Sequence, residues 1–229
     1  MPDLPEFTIE RLGRVPYADA LELQRARHAE VLAGRTGGAP HRILLVEHPA
    51  VITVTRRPGA GEHVLADSGA LAAAGVERCE TDRGGDVTYH GPGQAVAYPI
   101  VDLQRLGLGI HAYIRALEEA AIRTCAAWGI RCAREEGATG VWAGEQGSSR
   151  KIAAIGVRVS RSVTLHGIAL NVDPDLSHFG LIVPCGLHGR AVTSMRREVG
   201  AACPVLEDAS TRLGEEIAAA LTRPSAKAP

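Results

Sequence analysis

Lys151-Ile152-Ala153-Ala154-Ile155-Gly156-Val157-Arg158-Val159-Ser160, Arg161-Ser162 and Val163-Thr164-Leu165-His166-Gly167-Ile168-Ala169-Leu170-Asn171-Val172 form the stretch that decides the fold. Both arms are rich in β-branched residues, and two residues connect them, which predicts an antiparallel hairpin. Parallel neighbours need a crossover of about a dozen residues or more. The hairpin therefore excludes a simple doubly wound parallel sheet.

Outward from it, residues 1–15 read as a short extended segment. After Pro16, the residues Tyr17, Leu21, Gln24, His28, Val31 and Leu32 recur at helical spacing, with Gly34 as a stop. Arg42–Glu47 and Val51–Thr55 read as strands, Asp67 caps a short helix over Ser68–Ala74, and Val76–Glu80 reads as a further strand. Arg83–Gln94 reads as a loop. Gln94–Val101 reads as a strand, and because Pro99 cannot donate to a ladder its expected place is near a sheet edge.

Ile110, Tyr113, Ile114, Leu117, Ala121, Cys125 and Trp128 make the apolar stripe of a helix over Ile110–Trp128, ended by Gly129. Strands are expected near Ile130–Ala133 and Val141–Ala143. A last helix over Leu206–Leu221 turns Ala209, Leu213, Ile217 and Leu221 inward. No repeat, linker or composition shift divides the chain. The reading is α/β: a single mixed-sheet domain over residues 1–222, followed by a Pro/Ala tail, 223–229, expected to be disordered.

The 229 residues carry a formal charge of −1 and 3% aromatic residues, which speaks against nucleic acid as a partner. No signal peptide and no apolar run of about 20 residues is visible, so no membrane association is expected and the expected setting is cytoplasmic. Five cysteines without framework spacing suit a reducing compartment. Without a CxxC or HExxH pair, no metal site is expected. Of 25 basic residues only Lys151 and Lys227 are lysines, and Lys227 lies in the tail. Lysine shifts its pKa and can exchange a proton, whereas arginine cannot.

Two further stretches carry chemistry. In Gly180-Leu181-Ile182-Val183-Pro184-Cys185-Gly186-Leu187-His188-Gly189 a thiol stands between a proline that fixes the backbone and a glycine that permits close approach. Such a cysteine is either a presented nucleophile or a small core residue in a tight turn. The loop Arg83-Gly84-Gly85-Asp86-Val87-Thr88-Tyr89-His90-Gly91-Pro92-Gly93-Gln94 holds four glycines in twelve residues. It matches neither a dinucleotide fingerprint nor a P-loop, but its backbone can line an apolar tunnel or hold an anion.

Taken in order, Arg83–Gln94, Arg150–Gly156, Leu165–Val172 and Pro184-Cys185-Gly186 resemble the lipoyl(octanoyl) transferases. The resemblance spans about residues 83–190. It implies a fold like that of the biotin and lipoate protein ligases. It also implies an enzyme that takes an octanoyl group from the phosphopantetheine thioester of acyl carrier protein. The group passes to a lysine on lipoyl domains of 2-oxoacid dehydrogenase complexes or on the glycine cleavage H protein. No cofactor is implied, because the donor arrives activated.

By position, Cys185 would be the acyl-thioester nucleophile and Lys151 its acid/base partner. The acyl chain would lie against Arg83, Gly84, Gly85, Asp86, Val87, Thr88, Tyr89 and His90, against Ala154, Ile155 and Gly156, and against Gly167, Ile168 and Ala169. His90 and His166 would orient Lys151 or meet the thioester carbonyl, or else serve the fold through hydrogen bonds; Asn171 reads as structural, and so does the side chain of Thr88. His188 is near Cys185 in sequence, which does not establish reach. Arg56-Arg57 and Arg196-Arg197 would either dock an acidic carrier protein or form solvated faces. The competing readings are an ATP-dependent lipoate or biotin protein ligase, a cysteine thioesterase, and a non-catalytic carrier or fatty-acid binding module.

Overall fold

The computed structural model describes residues 6–145, 147–183 and 190–222. In chain order its elements are β1 (Phe7–Arg14), α1 (Tyr17–Ala33), β2 (His41–Glu47), β3 (Val51–Thr55), α2 (Ser68–Ala73), β4 (Glu77–Thr81), β5 (Val87–His90) and β6 (Gln94–Ile100). There follow α3 (Leu103–Leu106), α4 (Ile110–Ala126), β7 (Cys132–Glu135), β8 (Ala138–Ala143), β9 (Arg150–Ser160), β10 (Val163–Asn171), α5 (Met195–Val199) and α6 (Leu206–Thr222).

The strands divide between a seven-stranded sheet, β1-β2-β6-β10-β9-β8-β7, and a three-stranded sheet, β4-β3-β5. In the large sheet β1 runs parallel to β2, with α1 as the connection that a parallel pair requires, and the other neighbours are antiparallel. The expected mixed α/β architecture is present; the division into two sheets was not legible in the sequence. The β9–β10 hairpin closes through Arg161 and Ser162, whose φ angles of 51° and 67° are those of a type I′ turn.

Helices cover both faces of the large sheet. In β2, Ile43 and Leu45 pack with Leu117 and Ala121 of α4 and Leu213 and Ile217 of α6. Their neighbours Leu44 and Val46 pack with Ala20 and Val31 of α1. This two-sided burial explains why the strand reads as a continuous apolar run. The small sheet has its own core, with Ile52, Val54, Val87 and Tyr89 against Leu71, Phe179 and Ile182.

Several expectations are corrected. Val87–His90 is a strand inside the glycine-rich stretch, pairing with β3 from Val54↔Val87 to Val51↔His90. The stripe of α4 begins at Tyr113, since Ile110 is 43% exposed, and the helix ends at Ala126. Two short helices were not foreseen: α3, whose Gln104 and Arg105 amides donate to the Asp102 carboxylate, and α5, capped by the Ser194 hydroxyl.

The most consequential correction concerns Pro99. Strand β6 is interior, between β2 and β10. The pairs Ile168↔Ala97 and Val163↔Asp102 share one register, which places His166 opposite Pro99. The Pro99 carbonyl faces β10, where it accepts from Thr164 Oγ1 at 2.7 Å. A regular ladder would need a Pro99 N–H at this rung, and there is none. His166 instead adopts φ 57°, and its N–H is donated to Gln24 Oε1 of α1 at 2.8 Å. Gly167 is required beside it, because a Cβ there would lie 2.2 Å from Ala97 O and 2.7 Å from Pro99 Cδ. The sheet accommodates the proline by opening one rung.

Candidate active site

The opened rung lies in a slit between the large sheet and the small one. Its wall on the large sheet is Val96 and Tyr98 of β6, Gly167, Ile168 and Ala169 of β10, and Ala154, Ile155 and Gly156 of β9. Arg83, Thr88, His90, His166 and Tyr17 complete it. About 410 Å³ of empty space lies within these walls out to the mouth.

Nine of the fourteen residues named for the acyl chain therefore come together, with His166 beside them. Gly84, Gly85, Asp86, Val87 and Tyr89 do not line the slit. Because β5 is a strand, its side chains alternate: Thr88 and His90 face the slit, while Val87 and Tyr89 face the core of the small sheet. Gly84 serves differently, by joining the two sheets. Its N–H is donated to Val157 O at 2.9 Å, and a Cβ on Gly84 would lie 2.8 Å from that oxygen. Gly84→Ala should push the two backbones apart and cost about 1–3 kcal/mol. An unchanged urea midpoint would show that the crossing tolerates a methyl group.

Arg83 presents its aliphatic stem, with Cδ against Gly156. Its guanidinium is held by the fold, donating to Thr53 O and Oγ1 at 3.0 Å each and to Gly84 O at 2.9 Å. His90 Nδ1 lies 3.1 Å from Gln94 Oε1. The Gln94 amide nitrogen bonds to Tyr89 O and Asn171 Oδ1, so the ring's Nδ1 is the donor and Nε2 carries the lone pair. Asn171 Nδ2 continues the chain to Thr193 O at 2.9 Å. By the same reasoning His48 Nδ1 donates to Val15 O, and its Nε2 accepts from the Tyr98 hydroxyl, both at 2.7 Å. His166 Nε2 meets Asp82 Oδ1 at 2.8 Å.

Burial pushes the imidazoles of His48, His90 and His166 below the usual histidine range, and for His166 the Asp82 carboxylate offsets part of this. At the far edge of β2, burial lowers His41 to about 4. Each of these groups binds a proton less readily folded than unfolded, where histidine titrates at about 6.5. Stability should be full above that pH and fall as pH drops toward 4, by at most about 1.4 kcal/mol per histidine per pH unit. A urea midpoint that is flat between pH 7.5 and 5 would contradict this.

Lys151 is the second residue of β9, opposite Trp142. Its N–H is donated to Ala191 O and its carbonyl accepts from Thr193 N, both at 2.9 Å. Nζ lies 4.7 Å from the centre of the Trp142 ring, and the Arg190 guanidinium lies 4.2 Å from the same ring. On the other side, Val183 N bonds to His63 O at 2.8 Å. The chain thus enters residues 184–189 beside His63 and leaves them beside Lys151. Cys185 and His188 fall within that stretch, outside the described residues, as does the tail 223–229.

Sequence reasoning missed Tyr17, Val96 and Tyr98 as slit residues. Their apolar spacing announced only core, and only the packing of α1 and β6 against β10 shows which cavity they face.

Comparison with known proteins settles the relationship. Residues 16–218 match the family described as the lipoyl protein ligase A/B catalytic domain. The chain belongs to that family. It is 48% identical over 202 residues to the octanoyltransferase of Chloroflexus aggregans, covering 88% of this chain and 89% of the relative. It is 52% identical over 201 residues to that of Acidobacterium capsulatum, covering 82% and 78%. Among solved structures, the bipartite lipoate protein ligase of Thermoplasma acidophilum superposes with TM-score 0.69 at 17% identity, over 93% of this chain and 84% of that one. At that identity the likeness shows the shared lipoate-ligase fold alone. Among the described residues of this family member, no helix is long and apolar enough to cross a membrane.

Proposed function

We propose that this enzyme carries an octanoyl group on Cys185 between two protein partners, with Lys151 moving the protons. The reaction class is octanoyl transfer in protein lipoylation, the activity of relatives at 44–52% identity over most of the chain. The donor is the phosphopantetheine thioester of acyl carrier protein. The acceptors are lysines of lipoyl domains in 2-oxoacid dehydrogenase complexes and of the glycine cleavage H protein.

The Cys185 thiolate attacks the donor carbonyl, a C–S bond forms, and the oxyanion collapses with loss of the phosphopantetheine thiolate. That thiolate takes a proton from the Lys151 ammonium. The acceptor amine then attacks the Cys185 thioester and transfers its proton to the Lys151 amine, and Cys185 leaves as thiolate. A free thiol is only a few per cent ionised at pH 7, and a neighbouring ammonium favours the ionised form. Thioester exchange is nearly thermoneutral and amide formation is downhill, so neither ATP nor another cofactor is required. A cytoplasmic setting accords with a free thiol.

One observation supports this reading most. Lys151 is bonded through its own N–H and carbonyl to Ala191 and Thr193, just beyond the stretch that carries Cys185. The slit begins three residues further along β9, at Ala154, a distance of roughly 10 Å.

The test is intact mass after mixing the protein with octanoyl carrier protein in the absence of nucleotide, followed by peptide mapping and addition of a lipoyl domain. The expected result is an octanoyl adduct on the Cys185 peptide that disappears as the lipoyl domain gains the same mass. Amide formation only when ATP is added would favour a ligase. Octanoate release at a rate indifferent to the acceptor would favour a thioesterase, and no adduct at all would leave a binding module.

A further inference from the structure

We propose that Tyr17 and His166 form the end wall of the slit and set the length of acyl chain the enzyme accepts. The inference rests on the octanoyl-transfer reading and adds what fixes the chain length.

The registers lay the slit out in rows. Ala154, Ala169 and Val96 stand side by side, and one step of two residues further on are Gly156, Gly167 and Tyr98. Small residues on β9 and β10 leave the floor open along both rows. At the next position the floor ends: Gly84 crosses at Val157, and His166 turns aside at the rung that Pro99 cannot complete.

The wall is held from several sides. The Tyr17 ring lies nearly parallel to that of His90, 12° apart in tilt and 6.0 Å between centres. The Tyr17 hydroxyl is 2.7 Å from Thr81 Oγ1 and faces His166 Nδ1 at 3.5 Å. His166 is fixed through its N–H by Gln24 and through Nε2 by Asp82. Asp82 is in turn bound to Arg158 and, at 3.9 Å, to Arg25, both exposed. Solvent therefore lies directly behind the wall. A longer chain must displace pinned side chains, whereas a shorter one leaves apolar surface uncovered, about a fourfold loss of binding per missing methylene. If the wall is shortened, a long chain gains an exit to water.

The test is kcat/KM for transfer to a lipoyl domain from hexanoyl, octanoyl, decanoyl and dodecanoyl carrier protein. The wild type should peak at octanoyl and fall at least tenfold by dodecanoyl. Tyr17→Ala should raise the dodecanoyl-to-octanoyl ratio by tenfold or more, whereas Tyr17→Phe, which keeps the ring, should retain the wild-type profile of lengths. His166→Asn offers a second shortening, because asparagine tolerates the left-handed backbone. Folded Tyr17→Ala and His166→Asn proteins with an unchanged ratio would overturn the proposal. So would a wild-type profile flat from octanoyl to dodecanoyl, whatever becomes of the variants. Transfer with a flat profile removes the ruler and leaves the reaction standing; no transfer from any donor removes both.

Discussion

Cys185→Ser should abolish the covalent octanoyl adduct and lower transfer by about 10³-fold or more, since an alcohol is a far weaker nucleophile at neutral pH than a partly ionised thiol. Three of the four other cysteines argue for this choice of thiol. Cys125 is fully buried, and a hydrogen bond with Cys132 together with burial pushes its thiol well above the usual range. Burial also raises Cys79, assisted by the nearby Glu77 and Glu80 carboxylates, and it raises Cys203. Each of these three holds its proton more firmly than a free thiol and is the poorer nucleophile. Peptide mapping decides the matter: octanoylation of the Cys79, Cys125, Cys132 or Cys203 peptide in the wild type would show that the acyl group travels on another sulfur.

Lys151→Arg should lower kcat by about 10²–10⁴-fold, the usual contribution of a positioned acid/base group. The substitution isolates proton transfer unusually well. Charge is retained, and the backbone at 151 is fixed by bonds to Ala191 and Thr193 that do not involve the side chain. A guanidinium already lies over the Trp142 ring, that of Arg190, so the indole is a surface on which arginine can rest. What arginine cannot do is give up its proton. Stopped-flow measurement of acylation and of transfer to the lipoyl domain should show both slowed. Near-normal turnover would reduce Lys151 to a fixed positive charge.

How much of this was legible in the sequence differs from residue to residue for definite reasons. The β9–β10 hairpin was readable because its turn is local and its arms carry strong strand formers. Helices α1 and α6 were readable because a 3.6-residue repeat survives without any knowledge of neighbours. The glycine-rich stretch reads as a loop, whereas it holds a strand. Glycines on both sides hid the four-residue strand Val87–His90, and with it the alternation that separates Thr88 and His90 from Val87 and Tyr89. Tyr17, Val96 and Tyr98 gave no sign of their role, because they reach the slit from elements far apart in the chain. Position 99 misled for the opposite reason. The rule that proline belongs at an edge is sound, but here the missing donor was met inside the sheet by turning His166 away.

That exception bears on any attempt to make this protein more robust. An interior strand normally has an amide at every rung, and the rung at Pro99 lacks one, a deficit on the order of 1 kcal/mol. A screen that selected for melting temperature alone would be drawn to position 99, since a residue with an N–H there lets β10 zip shut. The repaired sheet would return His166 to an ordinary extended backbone and withdraw its imidazole from the place where Gln24 and Asp82 now hold it. Heat tolerance and substrate discrimination would then move in opposite directions at one residue, as happens where a working site depends on a local defect.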